Sequence, residues 1–365
     1  MIKKLKTFTV QMLVGANAAT IVLMLLTGYS YYLHPANHPL FSIAGMAFPF
    51  FVVVNLAFLI VFLLFKWTRA WVPLLGFALA YIPIRIYMPI HTPVDMPDGV
   101  LKVISYNVCA YGGNYKYDNG FETIRDYLHD EQPDIVCLQE DTDNTRHYVF
   151  KEYEKTFPYN DTIVLCNTLA SFNCLGIHTR FPIIRREKID YETEMNNGSA
   201  AWWLKVGEDT LIVINNHFES CHLNSEDREQ YRHIIKGEMN RDSMTTESKL
   251  LFVKLAEANA KRSLQIDRVC EYVREHEGYS ILVCGDFNDN PLSYSCYAMS
   301  QLLTDCFVES GRGIGLSYNQ KAFPLRIDHL FCSSDIQPYN CKIDDKMDAS
   351  DHYPLLCWIK IGRKP

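Results

Sequence analysis

The chain has 365 residues, of which 48% are apolar, and a formal net charge of −7. Residues 1–100 contain six Lys or Arg and two acidic residues, which gives this segment a net charge of +4. Residues 101–365 contain the other 29 Lys or Arg and 40 acidic residues, which gives a net charge of −11. Because non-specific binding of nucleic acid depends mainly on basic surface, this balance excludes a uniformly basic polyanion-binding domain and argues weakly against a processive nuclease.

Apolar stretches of membrane-spanning length open the chain, at residues 8–29 and 43–65. A helix needs about 20 apolar residues to cross roughly 30 Å of hydrocarbon. A third stretch, residues 71–87, is shorter and contains two prolines. No small-residue cleavage site stands out after the first stretch and a second stretch follows at once, so the pattern does not favour a signal peptide. We predict a membrane anchor over residues 1–90 with about three transmembrane helices.

Basic residues flank these stretches unequally. Lys3, Lys4 and Lys6 precede the first stretch, Lys66 and Arg69 follow the second, and the intervening loop, residues 31–40, has no Lys or Arg. By the positive-inside rule, the N-terminus and the loop after the second stretch then lie in the cytoplasm. With the three predicted spans, the rest of the chain is expected to lie outside the cytoplasm, and this is our prediction; with only two spans it would lie inside.

A segment rich in Pro, Gly and Asp, residues 91–99, is interpreted as a linker to a second domain over residues 100–365. All 12 cysteines lie in that domain, several of them inside apolar runs and none in a CxxC or Cys/His zinc spacing. This pattern is typical of reduced cysteines buried as small apolar side chains, and it mildly favours a second domain in the cytoplasm. In an oxidising compartment Cys166 and Cys174, or Cys221 and a distant partner, would be able to pair, and the sequence does not decide between these states.

Predicted strands alternate with helices through residues 100–365. Strands are expected at residues 100–108, 134–140, 163–165, 176–179, 201–206, 210–215, 281–285, 326–332 and 355–361, and helices at residues 121–129, 251–274 and 295–303. The segment 221–250 is polar and charged, which fits either a solvated helix or a mobile lid. This alternation indicates an α/β domain.

Polar side chains follow several of these strands at the point where the strand ends. Five of the candidates are at or after strand ends, namely Asn107, Glu140, His217, Asp286 and Asn288. Asp328 lies within the predicted strand 326–332, and Asp351 and His352 come shortly before the last strand. Taken singly, each is typical of a turn or of a solvated surface position. Their repetition at strand ends indicates instead a shared catalytic rim.

The motifs that carry these side chains resemble the endonuclease/exonuclease/phosphatase (DNase I-like) superfamily. In chain order they are Ser105-Tyr106-Asn107, Leu138-Gln139-Glu140, Asn216-His217, Gly285-Asp286-Phe287-Asn288, Ile327-Asp328-His329 and Ser350-Asp351-His352. The resemblance covers residues 100–361 and keeps the motif order of the family. It implies a four-layer α/β sandwich of two mixed β-sheets, here preceded by N-terminal transmembrane helices.

The resemblance also implies a role for each side chain around a bound Mg²⁺, with Mn²⁺ as the alternative cation. The implied metal ligands are Glu140, assisted by Asn107 and Asp351, whose oxygen atoms suit a hard cation. The implied catalytic residues are Asp286, which polarises the attacking water, Asn288, the pair of His352 and Asp328, and a second imidazole, His217. The chain departs from the family in having no confident match to its catalytic tyrosine.

These observations predict a membrane-anchored, Mg²⁺-dependent hydrolase of phosphoric esters, either a phosphodiesterase or a phosphatase. The expected substrate is a lipid head group, a small phosphodiester or a nucleic acid, and the expected bilayer contact runs through residues 8–87; no protein partner is inferred. A membrane-tethered nuclease acting on DNA or RNA is the alternative within this class. A non-catalytic membrane-bound binding module is the alternative from another class.

Overall fold

The structure of the chain is a computed structural model that describes residues 2–112, 119–141, 151–167, 172–191, 193, 197–221, 227, 229, 247–320 and 325–362. Two six-stranded mixed β-sheets form the centre of the second domain. The first sheet contains β1 (Leu101–Asn107), β2 (Ile135–Gln139), β3 (Tyr159–Asn167), β4 (Phe172–Thr179), β11 (Ile336–Ile343) and β12 (Leu355–Ile361), in the order β11-β12-β1-β2-β4-β3. The second contains β5 (Ile183–Ile189), β6 (Gly198–Val206), β7 (Asp209–His217), β8 (Ser280–Asp286), β9 (Thr304–Asp305) and β10 (Asp328–Cys332), in the order β5-β6-β7-β8-β10-β9.

The central strands are buried on both faces, which explains why they form nearly continuous apolar runs in the sequence. In β1, Val103 points into the core between the two sheets, and Ile104 points into a second core on the outer side of the first sheet. In β8, Leu282 points into the core between the two sheets, and Val283 points into the core on the outer side of the second sheet.

Helices cover both outer faces, so the predicted four-layer α/β sandwich is confirmed. Helix α6 (Gly120–Glu131) packs on the first sheet through Ile124 and Leu128. Helices α7 (Glu247–Glu275) and α8 (Tyr294–Ser300) pack on the second sheet. A short helix, α9 (Cys306–Ser310), precedes the loop that leads to β10.

The N-terminal segment is helical, as expected. It contains α1 (Ile2–Gly28), α2 (Pro39–Ser42), α3 (Phe48–Phe65), α4 (Trp71–Leu79) and α5 (Tyr81–Tyr87), with short 3-10 turns at Ser30–Tyr32, Ala44–Ala47 and Trp67–Arg69. By length and composition, two helical stretches are apolar enough to cross a membrane, and the number rises to three if α4 and α5, which are bent by 62° at their junction, count as one broken span.

A buried polar contact joins the two long apolar helices. The amide of Asn17 in α1 donates to Oδ1 of Asn55 in α3 at 2.8 Å, and Thr20 donates to the same oxygen at 3.1 Å. Both asparagines are fully buried. Between apolar helices, interhelical hydrogen bonds of this kind contribute to association where the hydrophobic effect does not drive it, as in a lipid bilayer.

The helical segment packs directly on the two-sheet part of the chain. Leu292, which follows β8, is buried in one apolar cluster with Met24, Phe48 and Ala80. The guanidinium of Arg326, which precedes β10, donates to the backbone carbonyl of Ile86 at 2.7 Å. Residues 91–99 run along the domain surface, where the side chain of Asn340 exchanges two hydrogen bonds with the backbone of Val94.

Sequence patterns located most strands, including part of the edge strand β3, but missed the edge strands β5, β9 and β11. Strand β5 was not predicted, because it carries four consecutive charged residues and lies at the edge of its sheet. Strand β11 lies at the other sheet's edge and is interrupted by a bulge, and it was missed as well. Cys174 and Cys221 are both thiols in the structure. Most of the segment 221–250, where a helix or lid was considered, lies outside the described residues.

Gly285 is required by the close approach of two strands at the end of β8. Its φ angle is +132°, and a Cβ atom there would lie 2.0 Å from the carbonyl oxygen of Asn216 in β7. We therefore expect Gly285→Ala to destabilise the protein by about 1–3 kcal/mol, because either the backbone or the neighbouring strand must shift. Gly278→Ala is the matched control, since a Cβ at Gly278 has open space. Thermal unfolding of both variants in detergent tests this, and equal melting temperatures would contradict it.

Candidate active site

Strand pairing gathers the predicted site residues at one rim. Strands β7 and β8 are parallel, and His217 lies opposite Asp286. Strands β8 and β10 are antiparallel, and Asp286 lies opposite Asp328 on its other side. In the first sheet β1 and β2 are also parallel, so Asn107 ends beside Gln139, the residue before Glu140. The ends of strands from both sheets therefore meet around Asp286.

The Asn107 side chain connects the two sheets. Its amide nitrogen donates to Asp286 Oδ2 at 3.0 Å and to Glu140 Oε1 at 3.1 Å. Its amide oxygen accepts a hydrogen bond from the backbone N–H of Cys109 at 3.0 Å. In this conformation Asn107 positions two carboxylates, and it would have to turn its oxygen toward the rim to serve as a metal ligand.

Asp286 is a buried carboxylate with polar contacts on every side. The backbone N–H of Asn288 donates to its Oδ1 at 2.8 Å. Its Oδ2 lies 3.6 Å from His352 Nε2 and 3.7 Å from His217 Nε2. Burial raises the pKa of Asp286 to about 6, and the neighbouring Asp328 adds to this effect, while His352 and His217 oppose it. The carboxyl thus titrates near neutral pH, in the range that suits a general base.

His352 and Asp328 form the expected pair. His352 Nδ1 and Asp328 Oδ2 are 2.8 Å apart, so the ring donates its Nδ1 proton to the carboxylate and presents Nε2 to Asp286. Burial by itself lowers the pKa of His352, but the charges of Asp328 and Asp286 reverse this effect and hold the pKa well above its ordinary value. These charges therefore favour the protonated, cationic form of the ring.

Two site residues have left-handed backbone conformations at the ends of their strands. The φ angles of Glu140 and Asn288 are +49° and +51°. Such strained conformations cluster at functional sites, where the surrounding structure fixes them. The Glu140 side chain is 34% exposed, against 2% for Asp286. The amide nitrogen of Asn288 donates to the backbone carbonyl of Phe218 at 3.0 Å, so this contact must open before it can reach a substrate.

The donor atoms at the rim fit a divalent cation. Glu140 and Asp286 converge on one amide of Asn107, and among the described residues neither carboxylate forms an ion pair with a Lys or Arg. Two adjacent carboxylates that no Lys or Arg neutralises in the described part of the chain, one of them open to solvent, are the kind of oxygen site that hard divalent cations occupy. A second, fully buried group, formed by Asp286, Asp328 and His352, has its potential ligand atoms within 4.8 Å of one another.

Asp351 is less closely joined to this cluster than the other predicted residues. Its backbone carbonyl accepts a hydrogen bond from Asn319 at 2.7 Å, and its side chain is half-buried. Its carboxylate has no hydrogen bond or ion pair within the described part of the chain, but its charge contributes to the raised pKa of His352. Its predicted role as a third ligand stays a prediction.

Two residues at the site carried no recognisable signal in the sequence. The amide of Asn173, in β4, lies 3.3 Å from His217 Nδ1 and is buried, so it helps to fix the orientation of that ring. The ring of Tyr318 packs edge-on against His352, with 5.1 Å between the ring centroids. Neither residue follows a predicted strand, and only the tertiary structure brings them to the rim.

Comparison with known families agrees with this geometry. The profile of the Endonuclease/Exonuclease/phosphatase family matches residues 104–352. A domain of unknown function (DUF8431) matches residues 10–87. No curated protein matches the chain by sequence.

Solved structures share the fold at low sequence identity. An endonuclease/exonuclease/phosphatase from Beutenbergia cavernae has a TM-score of 0.53 and 14% identity, with 72% of each chain covered. The catalytic domain of human Nocturnin with bound sulfate anion has a TM-score of 0.51 and 14% identity, covering 74% of this chain and 97% of that one. An endonuclease/exonuclease/phosphatase from Bacteroides vulgatus has a TM-score of 0.50 and 14% identity, covering 72% of this chain and 100% of that one.

Because the pKa of Asp286 is raised, the stability of the metal-free protein should depend on pH. Because the folded-state pKa, about 6, exceeds the ordinary value of 3.8, this group favours folding at low pH, and its contribution is lost as the pH rises through 6. In EDTA, Asp286→Asn should therefore stabilise the protein above pH 7 by on the order of 1–3 kcal/mol, with a gain that shrinks toward pH 4. Thermal unfolding from pH 4 to pH 8 measures it.

Asp328→Asn is the variant whose stability is compared with that of Asp286→Asn over the same pH range. It removes the carboxylate that accepts the His352 proton, so it should destabilise the protein throughout the range in which the ring is charged. A stability difference between Asp286→Asn and the unmodified chain that does not vary with pH would contradict the assignment.

Proposed function

On the premise that this chain belongs to the endonuclease/exonuclease/phosphatase family and is a metal-dependent phosphoester hydrolase, we propose that it is a membrane-anchored enzyme that uses Mg²⁺. Its proposed substrate is a phosphoric ester presented at a lipid bilayer, such as a lipid head group. The observation that carries this proposal is the packing of the N-terminal helices on the loop that directly follows Asp286 and Asn288.

The proposed metal site lies at the open side of the rim. Glu140 would hold the ion, with Asn107 and Asp351 beside it. When bound, Mg²⁺ supplies positive charge that offsets the negative charge of the phosphoryl oxygens. The exposure of Glu140 leaves room for the water molecules that Mg²⁺ usually retains.

Asp286 is proposed to act on the attacking water. Its pKa near 6 keeps it largely ionised at neutral pH while leaving it basic enough to accept a proton. The amide of Asn107 and the backbone N–H of Asn288 orient the carboxylate from two directions. The oxygen of the water then forms the new bond to phosphorus as its proton passes to Asp286.

The imidazoles are proposed to act on the phosphoryl group. Asp328 fixes the tautomer and charge of His352, whose Nε2 faces the rim. A cationic ring there can donate a hydrogen bond to a phosphoryl oxygen or a proton to the leaving oxygen as its bond to phosphorus breaks. His217, oriented by Asn173, would contact a second oxygen, and Asn288 would contact the group once released from Phe218.

The position of the N-terminal helices favours a substrate at the membrane surface. Leu292 is six residues after Asp286, so the two Cα atoms lie at most about 20 Å apart along an extended chain. Because Leu292 packs among Met24, Phe48 and Ala80, the catalytic rim is held close to the apolar helices. The balance of −11 over residues 101–365 gives a nucleic acid little electrostatic attraction.

The same packing supports a catalytic domain outside the cytoplasm. His34 and Ser42, in the connection between α1 and α3, contact Asp267 and Asn259 of the domain at 2.9 Å and 3.0 Å. The domain therefore lies on the side of the connection that has no Lys or Arg. Lys66 follows the far end of α3, whose 18 residues span about 27 Å.

Substitution of the site residues should separate catalysis from folding. We expect Asp286→Asn and His352→Ala each to lower Mg²⁺-dependent hydrolysis about 10²-fold or more, because each removes a positioned acid–base group. Asp209→Asn, at the exposed start of β7, and His276→Ala, at the end of α7, are matched controls that should retain the full rate. Unchanged rates in the site variants would remove these residues from the mechanism.

A substrate panel tests the proposed class. The full chain in lipid nanodiscs is given sphingomyelin, phosphoinositides, an aryl phosphodiester, RNA, and supercoiled or single-stranded DNA, each with Mg²⁺, with Mn²⁺ and with EDTA. We expect turnover of a lipid phosphoester that requires the divalent cation. Faster turnover of DNA or RNA would support the membrane-tethered nuclease instead, and turnover of no phosphoester would support the non-catalytic module.

A further inference from the structure

A buried arginine lies beneath the two loops that carry the central site residues. Arg262, in the middle of α7, is 2% exposed. Its guanidinium donates to the backbone carbonyl of Glu219 at 2.7 Å and to the side-chain oxygen of Asn259, and its Nε lies 3.6 Å from Asp289 Oδ2. A charged group this deeply buried is costly unless its partners are fixed, so these contacts constrain the loops that supply them.

The partners of Arg262 follow the catalytic strands directly. Glu219 is two residues after His217, at the end of β7, and Asp289 is three residues after Asp286, at the end of β8. The loops also bind each other, since the backbone N–H of Phe218 donates to the carbonyl of Asp286 at 3.0 Å. Arg262 therefore bridges the segments that hold His217 and Asp286.

Asp289 is itself part of the buried structure. Ser295 donates to its Oδ2 at 2.9 Å, and its backbone carbonyl lies 3.0 Å from His329 Nε2. Its side chain is 5% exposed. Without Arg262, a buried carboxylate would lose its cationic neighbour three residues from the catalytic carboxylate, and the loop would have to rearrange to reach water.

A second set of contacts joins this arginine to the N-terminal segment. The amide of Asn259, whose oxygen accepts from Arg262, donates to Ser42 Oγ at 3.0 Å. Ser42 ends α2, and both Ser42 and Asn259 are buried. Three residues later, Gly45 packs so closely on the loop after β8 that a Cβ would lie 2.7 Å from the carbonyl oxygen of Leu292.

We propose that Arg262 is a positioning residue that fixes the loops after β7 and β8, and that the contact between Asn259 and Ser42 makes this arrangement depend on docking of the N-terminal helices. The kinetic part of this inference rests on the proposed function. Displacement of a catalytic group by about 1 Å can cost about 10²-fold in rate, so the effect falls on kcat. The helical segment then completes the active site in addition to anchoring it.

Kinetics of the full chain in nanodiscs test the role of Arg262. We expect Arg262→Ala to lower kcat about 10- to 100-fold with KM changed less than about twofold, and added millimolar guanidinium to restore part of kcat by occupying the vacated space. A variant that has merely lost stability would not recover in a denaturant. Arg268→Ala, an exposed arginine on the same helix that pairs with Glu271, is the matched control and should retain the full kcat. An unchanged kcat in Arg262→Ala, or a loss that guanidinium does not restore, overturns the proposal.

Hydrogen exchange gives a readout that needs no catalysis. We expect Ser42→Ala and Asn259→Ala to increase amide exchange several-fold in residues 286–293, while Ser300→Ala, whose hydroxyl donates to the carbonyl of Tyr297 in its own helix, leaves it unchanged. Unchanged exchange in both variants overturns the coupling. If the unmodified chain hydrolyses no substrate, the proposed function fails while the exchange result still decides the coupling; if it is active and neither readout moves, only the present inference fails.

Discussion

The burial of the Asp286 carboxylate is the constraint on which the rest of the structure depends. A buried charge requires partners, and each sheet contributes some of them: Asn107 from the first sheet donates to the carboxylate, and Asn288 donates from the following loop. His352 supplies positive charge at 3.6 Å, and Asp328 in turn keeps that ring charged. The raised pKa of Asp286 indicates that this compensation is incomplete, which leaves the group reactive near neutral pH.

The same constraint relates the N-terminal helices to the chemistry. The loop after Asp286 continues into Leu292 and α8, and these residues form the docking surface for α1, α3 and α5. Arg262 lies below this loop and contacts the segment after His217 as well. Helices attached by a free linker would allow the two-sheet part of the chain to tumble, whereas here the N-terminal helices pack against the loop that follows Asp286.

The positions that could be predicted from the sequence are those whose local pattern is strong. Apolar runs located the central strands, and polar residues at their ends located Asn107, Glu140, His217 and Asp286, because parallel neighbours end at the same edge of a sheet. Edge strands such as β5 escaped prediction, since half-exposed charged strands lack an apolar pattern. Asn173, Tyr318 and Arg262 also escaped, because their roles come from contacts between residues that are 34 to 44 positions apart in the chain.

The protonation state of His352 in the metal-free chain tests the central claim most directly. A pH titration of the histidine ring resonances by NMR, with His352→Gln to assign the signal, measures its pKa. We predict that the ring stays protonated well above pH 6.5, the ordinary pKa of a histidine, and that its pKa falls toward 6.5 in Asp328→Asn. A His352 ring that titrates at or below 6.5 in the unmodified chain would contradict the proposed charge arrangement around Asp286.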